Sequence, residues 1–444
     1  MSQFVEEDRA ATTFRVNREV FTSPEILELE RQLIFDKTWI FVGHASEILV
    51  PNSFLLRRVA GRPVIFVRDS SGQLQVLLNA CRHRGAEVCR VPSGEAKTFT
   101  CFYHGWAYRN NGDLVHLPDA GAYGPGFDRS RMGLDKPPHV AEYRGFVFAN
   151  FDPDAGRLED YLADSRYLLD LIADQSETGM RVVPGVHSYW MNANWKLLME
   201  NSVDGYHAVT VHQTYFEMMM NLGVRPGLAR PQDPNAPKTR GAGIDLRHGH
   251  ATTMSWPGRA GALALLTDDH AKQMYAARQA DLARRFDPRQ VEKIVNTARN
   301  TLYFPNFVTV DLTFGIQLRT MWPTAPDTTE ITGWLITDPE LDDELQEARL
   351  DNALTFWGPG GLATPDDVEA LEQCQRGFAV RRESPWSNLS KGLGRDVPDM
   401  SDELPQRAFW REWNRRICGE KLPYEGTPYP EVAALPVYAS ASAS

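Results

Sequence analysis

Residues 81–104 read CRHRGAEVCRVPSGEAKTFTCFYH, and the Cys/His pairs at the two ends of this stretch decide the fold assigned to the first part of the chain. The first pair is Cys81-x-His83, and after 17 residues the second is Cys101-x-x-His104. In a Rieske [2Fe–2S] cluster, two thiolates hold one iron and two imidazoles hold the other. Each loop must then offer one sulfur and one nitrogen, and the loops must face each other. The spacing predicts a Rieske cluster held by Cys81, His83, Cys101 and His104.

Zinc is the competing interpretation, because two cysteines and two histidines also suit a tetrahedral zinc ion. Zinc fingers usually take both cysteines from one loop and both histidines from another, whereas here the two residue types alternate along the chain. The strand-like segment before Cys101 favours loops at the tips of neighbouring hairpins. Gly85 and Gly105 follow the histidines closely, where the backbone must turn sharply. The iron–sulfur interpretation therefore fits better.

The region around these loops has the pattern of a small antiparallel β domain. From residue 39 to about residue 151, short β-like runs such as SFLLRRV, PVIFVRD and GFVFANF are separated by the turn sequences SSGQ and NNGD. Residues 24–37 carry apolar side chains at helical spacing after Ser23, a candidate N-cap. From Arg157 to about residue 420, helical and strand-like segments alternate. This organisation predicts an α+β protein.

Composition and charge exclude several classes of protein. The 444 residues are too many for one ordinary domain, and a formal net charge of -11 argues against nucleic acid or an anionic membrane as a partner. No apolar run approaches the roughly 20 residues that cross a bilayer. The acidic start MSQFVEEDRA does not resemble a targeting signal, and an odd count of five cysteines suits a reducing compartment. We therefore expect a cytoplasmic protein.

A second group of metal-binding residue types follows about 100 residues after the first. Residues 194–207, NWKLLMENSVDGYH, have a helical pattern, and His212 follows them. Asp204 and His207 would share a helix face. His207 and His212 would be roughly 140° apart on a regular helix, so the helix must end or distort between them if both bind one metal. A non-haem iron(II) oxygenase adds one carboxylate to two histidines, and the pattern predicts such a site here.

The two motifs together resemble the α subunits of aromatic-ring-hydroxylating dioxygenases, which include the naphthalene, biphenyl, benzoate and p-cumate dioxygenases. The motifs are C-x-H-x₁₇-C-x₂-H and N-W-K-x₄-N-x₂-D-x-Y-H-x₄-H, and the similarity runs from about residue 39 to about residue 413. In that family the third iron ligand is an aspartate after a G-P-x-G stretch. The matching residues 358–367 read GPGGLATPDD. By spacing, the resemblance implies Asp367 as the ligand, with Asp366 as the alternative.

The resemblance also assigns roles to two residues beside the iron site. Asp204 matches an aspartate that links His207 to the cluster ligand His104 of a neighbouring subunit. Asn201, one helical turn earlier, is expected near the metal. The alternative for Asp204 is a capping or surface role, and the alternative for either aspartate of the 366–367 pair is an acidic helix N-terminus after Pro365.

The resemblance implies an architecture and a set of partners. We expect an N-terminal helical segment (1–38) packing on the catalytic domain, an antiparallel β Rieske domain (39–155), and a catalytic mononuclear iron domain (156–444) with a central antiparallel sheet covered by helices. Electrons would come from a ferredoxin or an NAD(P)H-dependent reductase, because no dinucleotide-binding fingerprint follows a strand in this chain. The oligomer would be an α3 trimer or an α3β3 assembly with a small β subunit.

The implied reaction is hydroxylation of an aromatic ring with O₂, with cis-dihydroxylation of an aromatic carboxylate or hydrocarbon as the leading prediction. The alternative is a Rieske monooxygenase that resembles a salicylate hydroxylase or a demethylase. A carboxylate substrate would call for an arginine clamp, and Arg319, Arg240 and Arg247 are the candidates. Apolar residues near the ligands are candidates for the pocket or for the core: Met199, Val203, Phe216, Met219, Leu222, Leu354 and Phe356.

A pure electron carrier is the rival from another functional class. A Rieske ferredoxin needs only the β domain, and this chain carries nearly 300 residues more. Respiratory Rieske proteins resemble C-x-H-x-x-C and C-x-C-H, with a disulfide between the additional cysteines. Ala86 and Tyr103 occupy those positions here. The sequence therefore favours the oxygenase.

Overall fold

The computed structural model describes residues 4–221, 240–256, 269–312, 315–395 and 398–423. The chain divides into two compact units. One is Phe35–Leu158, and the other combines Met1–Ile34 with Glu159–Ser444. Within the described ranges, no helix has both the length and the apolar character that a membrane span requires.

The described strands and helices are numbered here in chain order. The strands are β1 (Val5–Asp8), β2 (Thr13–Asn17), β3 (Ile40–His44), β4 (Ser53–Val59), β5 (Arg62–Arg68), β6 (Leu74–Leu78), β7 (Ser93–Glu95), β8 (Thr98–Thr100), β9 (Ala107–Arg109), β10 (Leu114–His116), β11 (His139–Tyr143), β12 (Phe146–Asn150), β13 (Arg181–Val182), β14 (His187–Met191), β15 (Arg240–Asp245), β16 (Ala251–Trp256), β17 (Ala298–Tyr303), β18 (Phe307–Leu312), β19 (Gly315–Ala325), β20 (Thr328–Thr337) and β21 (Trp386–Asn388). The α-helices are α1 (Pro24–Glu30), α2 (Leu158–Leu162), α3 (Arg166–Ala173), α4 (Trp195–Ser202), α5 (Ala208–Val211), α6 (Gln213–Asn221), α7 (Asp269–Arg285), α8 (Pro288–Asn296), α9 (Asp343–Trp357), α10 (Thr364–Gly377) and α11 (Leu404–Cys418).

The unit Phe35–Leu158 is built from antiparallel strands, as the sequence predicts. Three small sheets have the orders β6-β5-β4-β7, β10-β9-β8 and β11-β12-β3. The turns between β5 and β6 and between β9 and β10 contain Gly72 and Gly112, at φ 86 and 97. Both angles are in the left-handed region that glycine adopts without a steric penalty. The core of this unit includes Cys81 and Cys101 packed with apolar strand residues, which holds the two cysteine loops on a rigid base.

The first 34 residues differ from the predicted helical segment in two respects. Two strands, β1 and β2, precede helix α1 and form a three-stranded sheet with β21. The sequence TFRVN buries Phe14 and Val16 and exposes Arg15, which is the period of a strand, but the segment is too short for that period to stand out. Helix α1 begins where the sequence predicts, and the Ser23 side chain accepts a hydrogen bond from the N–H of Ile26 at 3.2 Å, but the α-helix ends at Glu30 and a π-helical turn follows over Arg31–Phe35.

A buried carboxylate ties this N-terminal segment to the rest of its own unit. Glu30, at the end of α1, is fully buried and accepts hydrogen bonds from Lys196 at 2.6 Å, Trp195 at 2.9 Å and Trp413 at 2.7 Å. The ammonium group compensates the charge, and the two indoles satisfy the remaining acceptor sites of the carboxylate. This network fixes helix α4, the helix that leads into the second candidate metal site.

The second unit contains the predicted central antiparallel sheet with helices packed on it. The sheet has the order β13-β20-β19-β18-β17-β16-β15, with β14 also paired to β20. Helix α4 packs across β17, β18 and β19, helix α9 packs on β19 and β20, and helix α11 packs on β15 and β16. Residues from α4 onward are thereby held against a rigid sheet.

Candidate metal centres

The two Cys/His loops of the β unit have the same backbone structure. Cys81 follows β6 and Cys101 follows β8. In each loop the cysteine N–H donates to a carbonyl oxygen five residues later at 2.8 Å. The N–H of a glycine four residues later donates back to the cysteine carbonyl, from Gly85 at 2.8 Å and from Gly105 at 3.0 Å. Both glycines have left-handed φ, 78 and 74, so their position in the sequence reflects backbone geometry.

The loops place the two predicted imidazole ligands side by side, and both predicted thiolate ligands lie in the core cluster of the same unit. The rings of His83 and His104 lie 4.4 Å apart between centroids, and both cysteines are buried. The Nδ1 atom of His83 is buried without a hydrogen-bond partner among the described residues. A buried imidazole nitrogen with no partner is costly unless a ligand occupies it. The donor set and this unpartnered atom fit a cluster that takes sulfur on one iron and nitrogen on the other.

Two aromatic residues that the sequence analysis did not single out support these loops. The Trp106 ring stacks on His83 at 5.2 Å with an interplanar angle of 5° and fixes its orientation. The Tyr108 hydroxyl lies 3.2 Å from the Cys81 sulfur and accepts from the N–H of Arg82 at 3.1 Å. Hydrogen bonds to cluster sulfurs tune reduction potential. Trp106 directly precedes strand β9 and Tyr108 lies within it, so their two-residue spacing places both side chains on one face of an extended segment.

The backbone around the second site corrects the predicted continuous helix over residues 194–207. Helix α4 begins after Asn194, whose side chain accepts from the N–H of Lys196 at 3.1 Å, but it ends at Ser202. A turn follows in which Asp204 Oδ1 accepts from the N–H of Tyr206 at 2.7 Å. Gly205 has no room for a side chain there, because a Cβ would lie 2.2 Å from the carbonyl oxygen of Met400. Side-chain bonding by Asp204 competes with the helix, which explains the break.

The short helix α5 separates the two histidines. His207 precedes it and His212 follows it, so the chain does distort between them, as the sequence requires for a shared metal. The side-chain carboxylate of Asp204 remains beside His207, with Oδ2 at 3.4 Å from Nδ1. This contact comes from the turn and not from a shared helix face.

His207, His212 and Asp367 form a three-residue group in which one possible ligand atom from each lies within 4.8 Å of the others. The Oδ1 atom of Asp367 is 3.4 Å from Nε2 of His207 and 3.4 Å from Nε2 of His212. Asn201 completes the surroundings, because its Nδ2 lies 3.0 Å from the same Asp367 oxygen and 3.3 Å from His207 Nε2. The predicted residues therefore meet at one point.

Geometry separates the two adjacent aspartates at the start of helix α10. Asp367 points toward both Nε2 atoms, and its side chain is 14% exposed. Asp366 is 34% exposed, and its Oδ2 lies 3.7 Å from Nδ1 of His212, the opposite nitrogen of that ring. A single metal between the two Nε2 atoms would therefore contact Asp367.

The electrostatics of the group suit a cation. Burial lowers the pKa of His207, but the carboxylates of Asp204 and Asp367 outweigh burial and raise that pKa to about 9. Burial raises the pKa of Asp367, but the two histidines outweigh burial and hold that pKa below its usual value. Burial lowers the pKa of His212. One carboxylate thus stays ionised between two imidazoles, an arrangement that favours a positive charge at this point.

The structure distinguishes among the predicted arginines and pocket residues. Arg247 already pairs with Asp164, with Nε at 2.8 Å from Oδ2. The side chain of Arg240 lies outside the described part. Arg319 is 6% exposed, and its Nη2 donates to Ser202 Oγ at 2.7 Å, one residue from Asn201. Of the apolar candidates, Met199 and Val203 are fully buried, Phe216 and Phe356 pack around Tyr215, Leu354 is exposed, and the side chains of Met219 and Leu222 lie outside the described part.

Comparisons with known protein families agree with both candidate centres. The family model for the ring hydroxylating alpha subunit (catalytic domain) matches residues 160–419, and the model for the Rieske [2Fe-2S] domain matches residues 38–141. The chain therefore belongs to the ring-hydroxylating α-subunit family. It is an oxidoreductase that carries a Rieske [2Fe–2S] cluster and a mononuclear iron, and it is the terminal oxygenase component that hydroxylates an aromatic ring.

Individual relatives extend over nearly the same length. The α subunit of toluate 1,2-dioxygenase from Pseudomonas putida is 35% identical over 85% of this chain and 82% of its own. The large subunit of 2-halobenzoate 1,2-dioxygenase from Burkholderia cepacia is 32% identical over 88% of this chain and 83% of its own. Among solved structures, naphthalene 1,2-dioxygenase from Rhodococcus sp. bound to indole has a TM-score of 0.79 at 28% identity, covering 92% and 95% of the two chains. An α subunit of this kind is one component of a multi-component oxygenase.

Proposed function

We propose that this protein cis-dihydroxylates an aromatic carboxylate at an iron held by His207, His212 and Asp367. The observation that carries the proposal is the convergence of their three ligand atoms within 4.8 Å. Two imidazoles and one carboxylate on one side of an iron(II) ion form the ligand set of non-haem oxygenases, and they leave other coordination positions open. When bound, the iron supplies O₂ activation at those positions.

The chain's own side chains hold and orient these ligands. Asn201 donates to Asp367 Oδ1 and limits the rotation of that carboxylate. Asp204 lies against Nδ1 of His207 and so favours the tautomer whose Nε2 faces a metal. The low exposure of His212 and Asp367, 6% and 14%, excludes bulk water from the ligand atoms. These contacts prepare the site before the metal binds.

We propose that Cys81, His83, Cys101 and His104, within the domain 39–155, would hold the cluster, which would supply one-electron transfer. From there, we propose, Asp204 of one subunit contacts His104 of the partner subunit and so joins the cluster to the iron site in residues 156–444. Asp204 and His104 are only partly buried in the isolated chain. Because both side chains remain partly accessible, this exposure supports a contact between them across two subunits. This route requires an oligomer, and we propose an α3 or α3β3 assembly supplied by a ferredoxin or a reductase.

The carboxylate substrate is supported by the relatives named for halobenzoate and toluate dioxygenation. Dihydroxylation and monooxygenation use the same ligand set, so the product must be measured. We expect both oxygens of one ¹⁸O₂ molecule in the product when the purified holoenzyme, reductant and benzoates are incubated together. Mass spectrometry would overturn dioxygenation if the products carried a single labelled oxygen. Products with no label would overturn the oxygenase itself.

Replacing Asp204 with asparagine tests the proposed link between the centres. We expect Asp204→Asn to keep the cluster and the mononuclear iron and to lower turnover about 10- to 100-fold, the usual cost of losing a hydrogen-bonding partner of a metal ligand. Stopped-flow absorbance would follow oxidation of the reduced cluster during turnover, and this step should slow. Glu217→Gln, at an exposed carboxylate on helix α6, is the control and should behave as wild type. Unchanged cluster oxidation in Asp204→Asn would contradict the route.

A further inference from the structure

A buried guanidinium without an anionic partner lies beside the iron site. Arg319 is 6% exposed on strand β19, and its Nη2 donates to the neutral hydroxyl of Ser202 at 2.7 Å. Its Nε is buried with no hydrogen-bond partner in the described part of the chain. Nor does any described carboxylate lie within 4.0 Å of it as an ion pair. A buried cation in this state is costly, and such charges are normally paired.

The described hydrogen-bonding partners of Arg319 are uncharged. Tyr189, on strand β14, lies close enough for its hydroxyl to hydrogen-bond with the guanidinium. Burial raises the pKa of Tyr189, and the positive charge of Arg319 opposes that rise without cancelling it. The groups that hydrogen-bond to Arg319 in the described part of the chain are therefore neutral hydroxyls, and the carboxylate of Asp367 acts on Tyr189 only through its charge.

A second unpartnered polar group lies on the same face of the same strand. Gln317 is two residues before Arg319, so the two side chains point to the same side of the sheet. Gln317 is 4% exposed, and its Oε1 is buried without a partner in the described ranges. Gly333 lies opposite Arg319 on β20, and a Cβ there would come within 3.4 Å of the Gln317 amide nitrogen. The missing side chain at Gly333 thus leaves room for these polar groups.

This polar pair lies on the side of the sheet covered by helix α4, the helix that ends at the iron site. Ser202, the hydrogen-bond partner of Arg319, directly follows Asn201, whose amide contacts Asp367. The residues opposite Arg319 and Gln317 on strand β18 are Val308 and Val310, both buried and apolar. An apolar wall beside a single cationic group is the environment that an aromatic carboxylate would require.

We propose that Arg319 binds the carboxylate of the aromatic substrate, with Gln317 and Ser202 as neutral partners, and that it determines the preference for aromatic acids over hydrocarbons. The inference rests on the proposed function and names the recognition group within it. The guanidinium fork matches a carboxylate with two parallel N–H donors. Substrate binding supplies the missing anion, and the ring then lies along the apolar strand residues toward the iron.

Benzoate and nitrobenzene test this proposal, because the two ligands have nearly the same shape and only benzoate is charged. Isothermal titration of the anaerobic holoenzyme measures binding without turnover. We expect Arg319→Gln to weaken benzoate binding about 100-fold while nitrobenzene binding stays within about twofold of wild type, since a charge-assisted contact is lost only for benzoate. Arg376→Gln, at an exposed arginine on helix α10, is the matched control and should leave both affinities unchanged. Equal losses for both ligands, or no loss for benzoate, would overturn the proposal.

A second variant keeps the test decisive if Arg319→Gln does not fold. Gln317→Glu places a carboxylate beside Arg319 and supplies an internal partner for the buried charge. We expect it to raise the melting temperature and to weaken benzoate binding at least tenfold, because the new carboxylate competes with the ligand. Unchanged benzoate affinity in a folded Gln317→Glu protein would overturn the carboxylate site. Failure of wild type to oxidise either ligand with reductant and O₂ would instead overturn the proposed function and leave the binding result intact.

Discussion

Asp367→Ala is expected to remove the mononuclear iron and all measurable turnover while the Rieske EPR signal remains. The Asp367 carboxylate is the only one in the described group that lies 3.4 Å from Nε2 of both His207 and His212. Without it, two neutral imidazoles remain as ligands, and the site loses the carboxylate whose negative charge stabilises bound iron(II). Iron analysis should fall from about three to about two atoms per chain, because the cluster keeps its two irons.

The neighbouring aspartate provides a matched control for this result. Asp366→Ala removes the same side chain from the same helical turn, and that carboxylate faces Nδ1 of His212 at 3.7 Å. We expect Asp366→Ala to retain the third iron and most of the turnover. A loss of iron in Asp366→Ala together with retention in Asp367→Ala would reverse the assignment of the third ligand.

Cys101→Ser is expected to abolish the Rieske cluster and, with it, turnover driven by an external reductant. Cys101 is 2% exposed at the start of a loop whose backbone repeats that of Cys81, so a serine would fit the space without supplying a thiolate. The EPR signal and visible absorbance of the cluster should both disappear. Iron should remain at the second site, because His207, His212 and Asp367 belong to the other unit.

Cys89→Ser is the control for this cluster variant. Cys89 is equally buried in the same unit, but it lies outside the two loops, and its thiol faces the carbonyl of Val91 at 3.6 Å. Burial raises the pKa of the Cys89 thiol and so favours its protonated form. We expect its cluster signal to match wild type. Loss of the cluster in Cys89→Ser but not in Cys101→Ser would contradict the ligand assignment.

Local spacing predicts much of this molecule. The run SFLLRRV coincides with strand β4, and the Cys/His pairs fall in two loops of one structure, because a short sequence motif and a short backbone loop are determined by the same few residues. The cap of helix α1 at Ser23 is local in the same sense. Features of this kind need no information from distant parts of the chain.

Contacts between residues that are distant in the sequence could not be predicted from local sequence patterns. The need for glycine at position 205, in the turn after helix α4, depends on Met400, whose carbonyl leaves no space for a side chain there. The resemblance implies Asp367 by its spacing, but periodicity alone places Asp366 and Asp367 at one helix start, and only the folded chain shows which carboxylate faces the two Nε2 atoms. The unpartnered state of Arg319 depends on the absence of a described carboxylate near β19, which only the folded sheet reveals.

Metal analysis and EPR of the purified wild-type protein test the central claim most directly, namely that one chain holds two different iron centres. We predict a brown protein with a [2Fe–2S] cluster and one further iron in each chain. Reduction should produce a Rieske-type EPR signal, and chelation of the mononuclear iron should leave that signal unchanged. A colourless protein that carries zinc at the Cys/His loops, with no signal on reduction, would contradict the account.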